Sequence, residues 1–275
     1  MSSENEINKI ISDVETFLKQ QQELYGDILM VTPANSKETK SEATASEKVL
    51  TETDLFGNTI IPSKTSKDSE EAGLLPYPNE PWVEAKTLDE LNLSINQCTK
   101  CSLGHTRNKF VFGVGNPKAE VVVVGEAPGA DEDAQGEPFV GRGGQLLTKI
   151  LEAIHFKREE VYICNILKCR PPNNRDPQAD EIDFCEPYLW KQLEIIKPKM
   201  ILCAGRIAGQ SLLKTNASLT VLREKVHNYR GIPLMVTYHP AALLRNPHWK
   251  RPCWEDVQKF RKMYDEMKSN ELSNK

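Results

Sequence analysis

Four short runs of apolar residues recur in the second half of the chain. The first run, VVVV, consists of β-branched side chains only, which is typical of strands buried on both faces. The runs occupy residues 121–124, 161–164, 200–204 and 234–238. Segments with apolar residues at helical spacing lie between and after them, at residues 144–155, 178–195, 206–214 and 253–267. This alternation predicts an α/β domain with a parallel sheet that helices cover on both faces.

Polar residues follow the predicted strands directly. Glu126 comes after the first strand, Asn165 after the second, Gly205 after the third and His239 after the fourth. In open α/β sheets, ligands bind in the crevice outside the carboxyl ends of the strands. The loop at 126–141 adds several acids, one phenylalanine and glycines. We therefore expect a binding site for a small molecule or a base at this edge of the sheet.

The chain before the predicted sheet has a different composition. Apolar residues at helical spacing in residues 1–31 predict one amphipathic helix. Residues 32–84 are rich in Ser, Thr, Glu, Lys, Asn and Pro, which predicts a flexible polar linker. The globular domain is expected at residues 85–267, followed by a disordered tail at 268–275.

Charge and cysteine content narrow the class of protein. The 275 residues carry a net charge of −4, but the acidic excess lies in residues 1–84 and the remainder is basic. A basic module permits a polyanionic partner such as nucleic acid. No apolar run is long enough to span a bilayer and no secretory signal is visible, so we expect a cytoplasmic protein without a membrane partner. The seven cysteines are then expected to be thiols or metal ligands.

The cysteine spacing indicates a metal site. Cys98 and Cys101 form a C-x2-C pair, which by itself is compatible with half of a zinc site, an iron-sulfur ligand pair or a redox dithiol. Cys169 and Cys185 form a second, widely spaced pair that favours a four-thiolate site for zinc or a [4Fe-4S] cluster. Two further cysteines lie inside predicted strands and are expected to be buried: Cys164 and Cys203.

Six motifs follow one another along residues 91–263. They are the C-x2-C pair, GEAPG at 125–129, GEPFVGR at 136–142, NILKCRPP at 165–172, Cys185, and HPAALLR at 239–245. In this order they closely resemble the family 4 uracil-DNA glycosylases, the iron-sulfur type of bacteria and archaea. The resemblance implies a three-layer α/β/α sandwich around a four-stranded parallel sheet. It also implies a [4Fe-4S] cluster on Cys98, Cys101, Cys169 and Cys185, with zinc as the alternative occupant, and hydrolysis of the bond between uracil and deoxyribose.

The resemblance assigns a pocket for a flipped-out uracil. A base inside a duplex cannot be reached, so it must be rotated into a pocket that reads its face and its edge. Phe139 is expected to stack on the base and Asn165 to read its edge, with Gly125 and Ala127 lining the same pocket. Glu132 is expected to press against C5 and so exclude the methyl group of thymine.

Two residues are expected to act on the glycosidic bond. His239 would donate to uracil O2, where negative charge develops, and Glu126 would stabilise the sugar cation and orient the attacking water. Three residues of the last motif are expected to contact DNA and to fill the vacated base stack: Leu243, Leu244 and Arg245. The motif departs from the family's His-Pro-Ser, because Ala241 replaces the serine and removes its hydroxyl.

Two other functions are compatible with parts of the sequence. One is a uracil-binding protein of the same superfamily that traps its substrate covalently, but the basic, histidine-containing insertion of that group is missing between Gly129 and Gly144. The other is a nucleotide-binding module stabilised by a metal site of four cysteines, which leaves Asn165, Phe139 and His239 without a role. The expected partner is uracil-containing DNA, single- or double-stranded, bound by a monomer.

Overall fold

A six-stranded mixed sheet forms the centre of the domain. The structure, a computed structural model, describes residues 79–273, so the predicted helix at 1–31 and the linker up to residue 78 lie outside the described residues. The strand order is β1-β3-β2-β4-β6-β5. The strands are β1 (Val114–Gly115), β2 (Val121–Gly125), β3 (Tyr162–Asn165), β4 (Met200–Ala204), β5 (His227–Tyr229) and β6 (Ile232–Thr237).

The four predicted strands are the parallel centre of this sheet. β3, β2, β4 and β6 pair in parallel, while β1 and β5 pair antiparallel at the two edges. The predicted count of four strands is therefore too low by two edge strands. β1 and β5 have two and three residues and contain no apolar run, so the pattern of buried positions could not indicate them.

Helices cover both faces of the sheet and form the predicted three layers. The helices are α1 (Leu88–Ile95), α2 (Ala130–Gln135), α3 (Arg142–Ala153), α4 (Ala179–Ile196), α5 (Arg206–Leu213), α6 (Leu219–Arg223), α7 (Pro240–Arg245) and α8 (Lys250–Ser273). Because side chains alternate along a strand, Val122 and Val124 of β2 pack against α1, α4 and α5, whereas Val121 and Val123 pack against α3, α7 and α8.

The folded domain extends beyond the predicted range of residues 85–267 at both ends. At the N-terminal side, Trp82 lies in a 3-10 helix (Pro81–Glu84), is 2% exposed and packs edge-on against Tyr188. The folded domain therefore includes residues assigned to the linker. At the other end α8 continues to Ser273, so the prediction of a disordered tail is wrong for residues 268–273.

The end of α8 is helical because it is tied to the sheet. Glu120, just before β2, accepts hydrogen bonds from Lys268 at 2.9 Å and from the hydroxyl of Tyr264, and it pairs with Lys199 at 2.8 Å. Lys199 also pairs with Glu271. These contacts join segments nearly 150 residues apart, which local composition does not reveal. Among the helices of residues 79–273, none is long and apolar enough to cross a membrane.

Candidate active site at the carboxyl ends of the parallel strands

A cavity of about 460 Å³ opens at the carboxyl ends of β2, β3 and β6. Its lining includes Glu126, Ala127, Asp131, Glu132, Phe139, Asn165, Asn174, Arg175, Asp176, His239, Ala241 and Arg245. A larger and more open cleft of about 900 Å³ runs along α8, away from every strand end. We assign the site to the smaller cavity, because it brings convergent polar groups and an aromatic ring together.

Asn165 and Gly125 form the floor of the cavity. They are paired in the register of β2 and β3, and the side chain of Asn165 is buried with no hydrogen-bond partner at Oδ1. A Cβ atom on Gly125 would clash with this oxygen and would lie 2.6 Å from the ring of Phe139. Below the floor, the buried Lys168 donates through Nζ to the backbone oxygen of Asn165 at 2.7 Å and to Gln192 at 2.6 Å. The backbone of Asn165 is thus held from beneath, while its side-chain oxygen has no partner among the described residues and stays free for a ligand.

Phe139 forms a wall of the cavity and adopts a left-handed backbone conformation, with φ of 54°. Its carbonyl lies so close to Gly144 that a Cβ there would clash with the oxygen. Arg158 fixes the preceding residue by donating to the carbonyl of Pro138 at 2.8 Å. The ring is stacked with that of His239 at 5.5 Å between centroids. Strained backbone held this tightly is common at functional sites.

Glu132 is fixed to the loops around the cavity. Its Oε2 accepts from the backbone N–H of Gly129, and its Oε1 accepts from those of Val140 and Gly141, each at 3.0 Å. The carboxylate therefore joins the turn after β2 to the segment that carries the phenylalanine. It also lines the cavity, which is compatible with the predicted contact at C5 but does not test it.

Asp133, for which the sequence predicts no role, anchors the same loop from outside the cavity. It is 2% exposed, and it accepts from the backbone and side-chain amides of Asn108 at 2.9 and 2.6 Å. A run of three acids at residues 131–133 resembles a solvated helix start, so the sequence carries no sign that one member is buried. Asp131 and Glu132 line the cavity, whereas Asp133 is buried outside it.

The pKa of the Glu126 carboxyl group is shifted towards neutral pH. Burial and, to a smaller extent, the nearby charge of Asp176 raise its pKa to about 7, while Arg206 opposes both effects. Arg206 and Asp176 form an exposed ion pair with 3.2 Å between Nη2 and Oδ2. A carboxyl with such a pKa can hold or release a proton at physiological pH, which suits a general base.

His239 caps the N-terminus of α7, and its Nδ1 accepts a hydrogen bond from the backbone N–H of Ala241 at 3.2 Å. Burial and, to a smaller extent, the charge of Arg245 lower its pKa to about 4, while Glu132 acts in the opposite direction. The imidazole is therefore neutral at physiological pH. Because Nδ1 is an acceptor, the single proton lies on Nε2.

The three residues predicted to contact DNA lie in different environments. Leu243 is 2% exposed and packs in the apolar layer with α3 and α8, a position that does not favour the predicted contact with DNA. Leu244 is 38% exposed and Arg245 lines the cavity. Helical geometry is the reason, because consecutive residues of α7 point in different directions. Ala241 lies against the start of α3, where a Cβ on Gly143 would be 3.2 Å from its own.

The four predicted metal-ligating cysteines come from three segments that meet on one side of the sheet. Cys98 and Cys101 precede a 3-10 helix (Ser102–His105), Cys169 follows β3, and Cys185 lies on α4. Hydrogen-bond donors point at their sulfur atoms: Tyr188 Oη to Cys98 at 3.2 Å, Arg107 Nη1 to Cys169 at 3.4 Å and Lys168 N to Cys185 at 3.2 Å. Cys164 and Cys203 are buried within strands, as predicted.

The donor set fits an iron-sulfur cluster by its chemistry. Within residues 79–273, no three His, Cys, Asp or Glu side chains are placed to share one metal ion. A [4Fe-4S] cluster makes a different demand, because it is held by four thiolates and its sulfurs accept hydrogen bonds that tune it. Four thiols from three segments, with N–H and O–H donors aimed at three of the sulfurs, meet this demand.

Comparison with known proteins gives the family. A family model of the uracil DNA glycosylase superfamily matches residues 112–260. The chain is 44% identical over 183 residues to the type-4 uracil-DNA glycosylase of Archaeoglobus fulgidus, covering 64% of this chain and 92% of that protein. For the type-4 uracil-DNA glycosylase of Thermotoga maritima the identity is 41% over 182 residues, covering 65% and 95%. The type-5 uracil-DNA glycosylase of Pyrobaculum aerophilum is 31% identical over 146 residues, covering 47% and 64%. Since the type-4 proteins match over nearly their whole length and the superfamily model spans the cavity, this chain belongs to the type-4 group of the uracil DNA glycosylase superfamily.

Proposed function

We propose that this protein is a DNA repair glycosylase that hydrolyses the N-glycosidic bond of uracil in DNA, releasing free uracil and leaving an abasic site. The buried, unpartnered Oδ1 of Asn165 carries this proposal. A buried carbonyl oxygen without a partner is costly, and the cost is removed when a ligand donates to it. The N3–H of uracil is such a donor, and the Nδ2 of the same amide can donate to O4.

The cavity has the shape that a flipped base requires. Phe139 offers the face of its ring as one wall, and Gly125 leaves the space beside it empty because it has no side chain. A uracil that enters from the duplex can therefore lie against the ring with its Watson-Crick edge on Asn165. Cytosine presents the opposite pattern of donor and acceptor at this edge and would leave buried groups unpaired.

The cleavage step uses His239 and Glu126. As the bond between C1′ and N1 breaks, its electron pair passes to the uracil ring, and negative charge collects on O2. His239 Nε2–H donates to that oxygen as a neutral imidazole. The ionised Glu126 stabilises the positive sugar, and it accepts a proton from the water whose oxygen bonds to C1′. The uracil anion then takes a proton from solvent.

Glu132 is proposed to exclude thymine by a steric clash with its C5 methyl group. Three backbone N–H groups hold its carboxylate, so the group cannot swing away to make room for a methyl group at C5. A rigid wall discriminates better than a mobile one, because a clash with it cannot be relieved by a rotamer change. The same hydrogen bonds also hold the turn at Gly129 to the segment at residues 140–141.

DNA contact outside the pocket is proposed for the end of α7. Leu244 is exposed and can fill the gap that the flipped nucleotide leaves, while Arg245 lines the cavity and can pair with a phosphate of the same strand. We propose that residues 79–273 form the whole catalytic domain, that they act on DNA as a monomer, and that single- and double-stranded DNA are both substrates.

We propose further that Cys98, Cys101, Cys169 and Cys185 hold a [4Fe-4S] cluster. Such a cluster supplies covalent crosslinks between three segments and contributes directly to folding. The segment between Cys169 and Cys185 includes Asn174, Arg175 and Asp176, which line the cavity. The cysteines therefore hold in place the side of the cavity that faces Glu126.

The function is tested with purified protein and matched oligonucleotides that contain a single uracil or a single thymine. Alkali should cleave the uracil strand at the abasic site and leave the thymine strand intact, and free uracil should accumulate beyond one equivalent of enzyme. A stable protein–DNA adduct without release of uracil would favour the covalent-trapping alternative. Binding without any abasic site would overturn the assignment as a glycosylase.

A further inference from the structure

A buried ion pair lies beneath the loop that carries His239. Arg223, at the end of α6, donates through Nε to Asp256 Oδ2 at 2.6 Å and through Nη2 to Oδ1 at 3.0 Å. The two side chains are 13% and 10% exposed. This two-point geometry fixes both groups relative to each other.

The pair is bonded to the two residues that precede His239. Thr237, the last residue of β6, donates through Oγ1 to Asp256 Oδ2 at 2.6 Å. Arg223 donates through Nη1 to the hydroxyl of Tyr238 at 3.2 Å, and its guanidinium carbon lies 4.4 Å from the centre of that ring.

Other contacts fix the pair itself and the ring of Tyr238. Arg223 donates to the carbonyl of Pro252 at 2.8 Å, which ties it to the first turn of α8. The ring of Tyr238 also stacks on that of Trp249, with 5.2 Å between the two centroids. The end of β6, α6 and α8 are thus joined by one set of polar contacts just before the catalytic histidine.

Stability alone is a weak reason for such an arrangement. A buried ion pair contributes little to the net free energy of folding, because the cost of desolvating both charges offsets their attraction. What it supplies is a fixed geometry. We propose that Arg223 and Asp256 are positioning residues, which hold the end of β6 so that His239 Nε2 meets the charge that develops on uracil O2. This inference rests on the proposed role of His239.

The experiment is a double-mutant cycle between Asp256→Asn and His239→Ala. Single-turnover excision of uracil is measured with enzyme in excess, and affinity for abasic-site DNA is measured separately. Asp256→Asn should slow excision by about ten- to a hundredfold, since small misplacements of a catalytic group cost this much, and should change the affinity by less than about twofold. In the His239→Ala background the same change should have almost no further effect, because the group that it positions is already gone.

The matched control is Asp265→Asn on the same helix. Asp265 also pairs with an arginine, Arg261, at 2.9 Å, but this pair lies within α8 and does not involve β6. This variant should excise uracil at the wild-type rate. Should Asp256→Asn fail to fold, Thr237→Val takes its place, because it removes the hydroxyl that contacts Asp256 at 2.6 Å and Cys253 Sγ at 3.5 Å and leaves the ion pair itself intact. Thr237→Ser, which keeps the hydroxyl, should restore the rate.

Two results would overturn the proposal. One is a wild-type rate in the folded Asp256→Asn or Thr237→Val variant. The other is an equal loss of rate with and without His239, which would mean that the pair acts on the site by some route other than this histidine. Failure of the wild-type protein to release uracil would instead contradict the proposed function, so the two hypotheses are tested separately.

Discussion

The backbone N–H of Ala241 donates to Nδ1 of His239 at 3.2 Å and thereby decides which ring nitrogen carries the proton. Burial and the charge of Arg245 lower the pKa of the histidine to about 4, so the ring is neutral and Nε2–H is its only donor. A neutral donor stabilises a developing anion without introducing a competing charge into the ground state. The N-cap of α7 is therefore part of the proposed catalytic arrangement.

Excision should depend on pH through Glu126. Because burial and Asp176 raise the pKa of this carboxyl to about 7, it is largely protonated and inactive as a base below that pH. The single-turnover rate should fall about tenfold for each pH unit below about 7 and level off above it. His239 stays neutral until the pH approaches about 4, so it should add no second inflection to the pH–rate profile around pH 7. Rates measured across this range at constant ionic strength test the prediction.

Two variants test the role of Glu126 in different ways. Asp176→Asn removes a charge that raises the pKa of Glu126, so the midpoint of the pH profile should move down. Glu126→Gln should excise uracil very slowly at every pH. Its melting temperature above pH 7 should exceed that of the wild type, because the wild-type protein must bury a carboxylate there. A pH-independent wild-type rate would remove Glu126 from the role of base.

Asn165 should decide which base is excised. Asn165→Ala should lose most uracil excision, because both edge contacts disappear. Asn165→Asp removes the donor to O4, but a protonated carboxyl can donate to cytosine N3 and accept from its amine. We therefore expect a weak cytosine activity that increases at acidic pH in Asn165→Asp only. Each mismatched pair costs about 1–3 kcal/mol, so the change of preference is measurable by single-turnover excision of both bases.

The excision rate of Asn165→Ala also tests whether the Asn165 side chain contacts the base. Asn165 lies on the parallel centre of the sheet, and its backbone oxygen is already bonded to Lys168, so the variant should fold. Full uracil excision by the folded alanine variant would show that the base is read by other groups.

Gly125→Ala should abolish excision by filling the pocket. The new Cβ would clash with Asn165 Oδ1 and lie 2.6 Å from the ring of Phe139, which forces both recognition groups to move. Gly231→Ala is the control. Its Cβ would meet nothing within 4 Å among the described residues, although the positive φ of +85° costs about 1–2 kcal/mol of stability with a side chain present. Equal activity of the two variants in the oligonucleotide assay would mean that the space beside Gly125 is not used.

The four-cysteine site should contain iron. Protein purified under reducing, oxygen-poor conditions should be brown and contain iron and acid-labile sulfide. Cys185→Ser should lose iron and melt at a lower temperature, because the proposed cluster would crosslink segments that only packing and hydrogen bonds otherwise join. Cys203→Ser, a change at a buried cysteine within β4, should keep its iron. Stoichiometric zinc without iron in the wild type would contradict the cluster.

The end of α8 should become unstable in acid. Burial alone would raise the pKa of Glu120, but hydrogen bonds from Lys199, Lys268 and Tyr264 outweigh it and lower the pKa to about 2. A lowered pKa means that the stabilisation is complete above the ordinary value of 4.5 and is lost as the pH falls towards about 2.

This behaviour is measured by thermal unfolding over a series of pH values. Glu120→Gln should lower the melting temperature near neutral pH, and the difference should shrink as the pH falls towards about 2, where half of the wild-type carboxyl groups are protonated. Glu255→Gln is the control. This residue lies at an exposed position of α8, and the change should have little effect at either pH. An equal effect of both changes at neutral pH would contradict the anchoring role of Glu120.

The sequence by itself determined the parallel centre of the sheet and the chain positions of the site. Runs such as VVVV at 121–124 indicate burial on both faces, and parallel strands bring their carboxyl ends to one edge. Glu126, Asn165 and His239 therefore had to lie near one another. The six motifs in their order along residues 91–263 were specific enough to indicate the family.

Only the tertiary structure decided the properties that depend on long-range contacts. The pKa of Glu126, the proton position on His239 and the pairing of Arg223 with Asp256 all arise from groups that are distant in the chain or from backbone geometry. Leu243 shows the same limit, since three successive residues of one motif face three environments on a helix. Apolar periodicity records which face of an element is buried, whereas charge, tautomer and free hydrogen-bonding capacity depend on which groups the folded chain places beside each other.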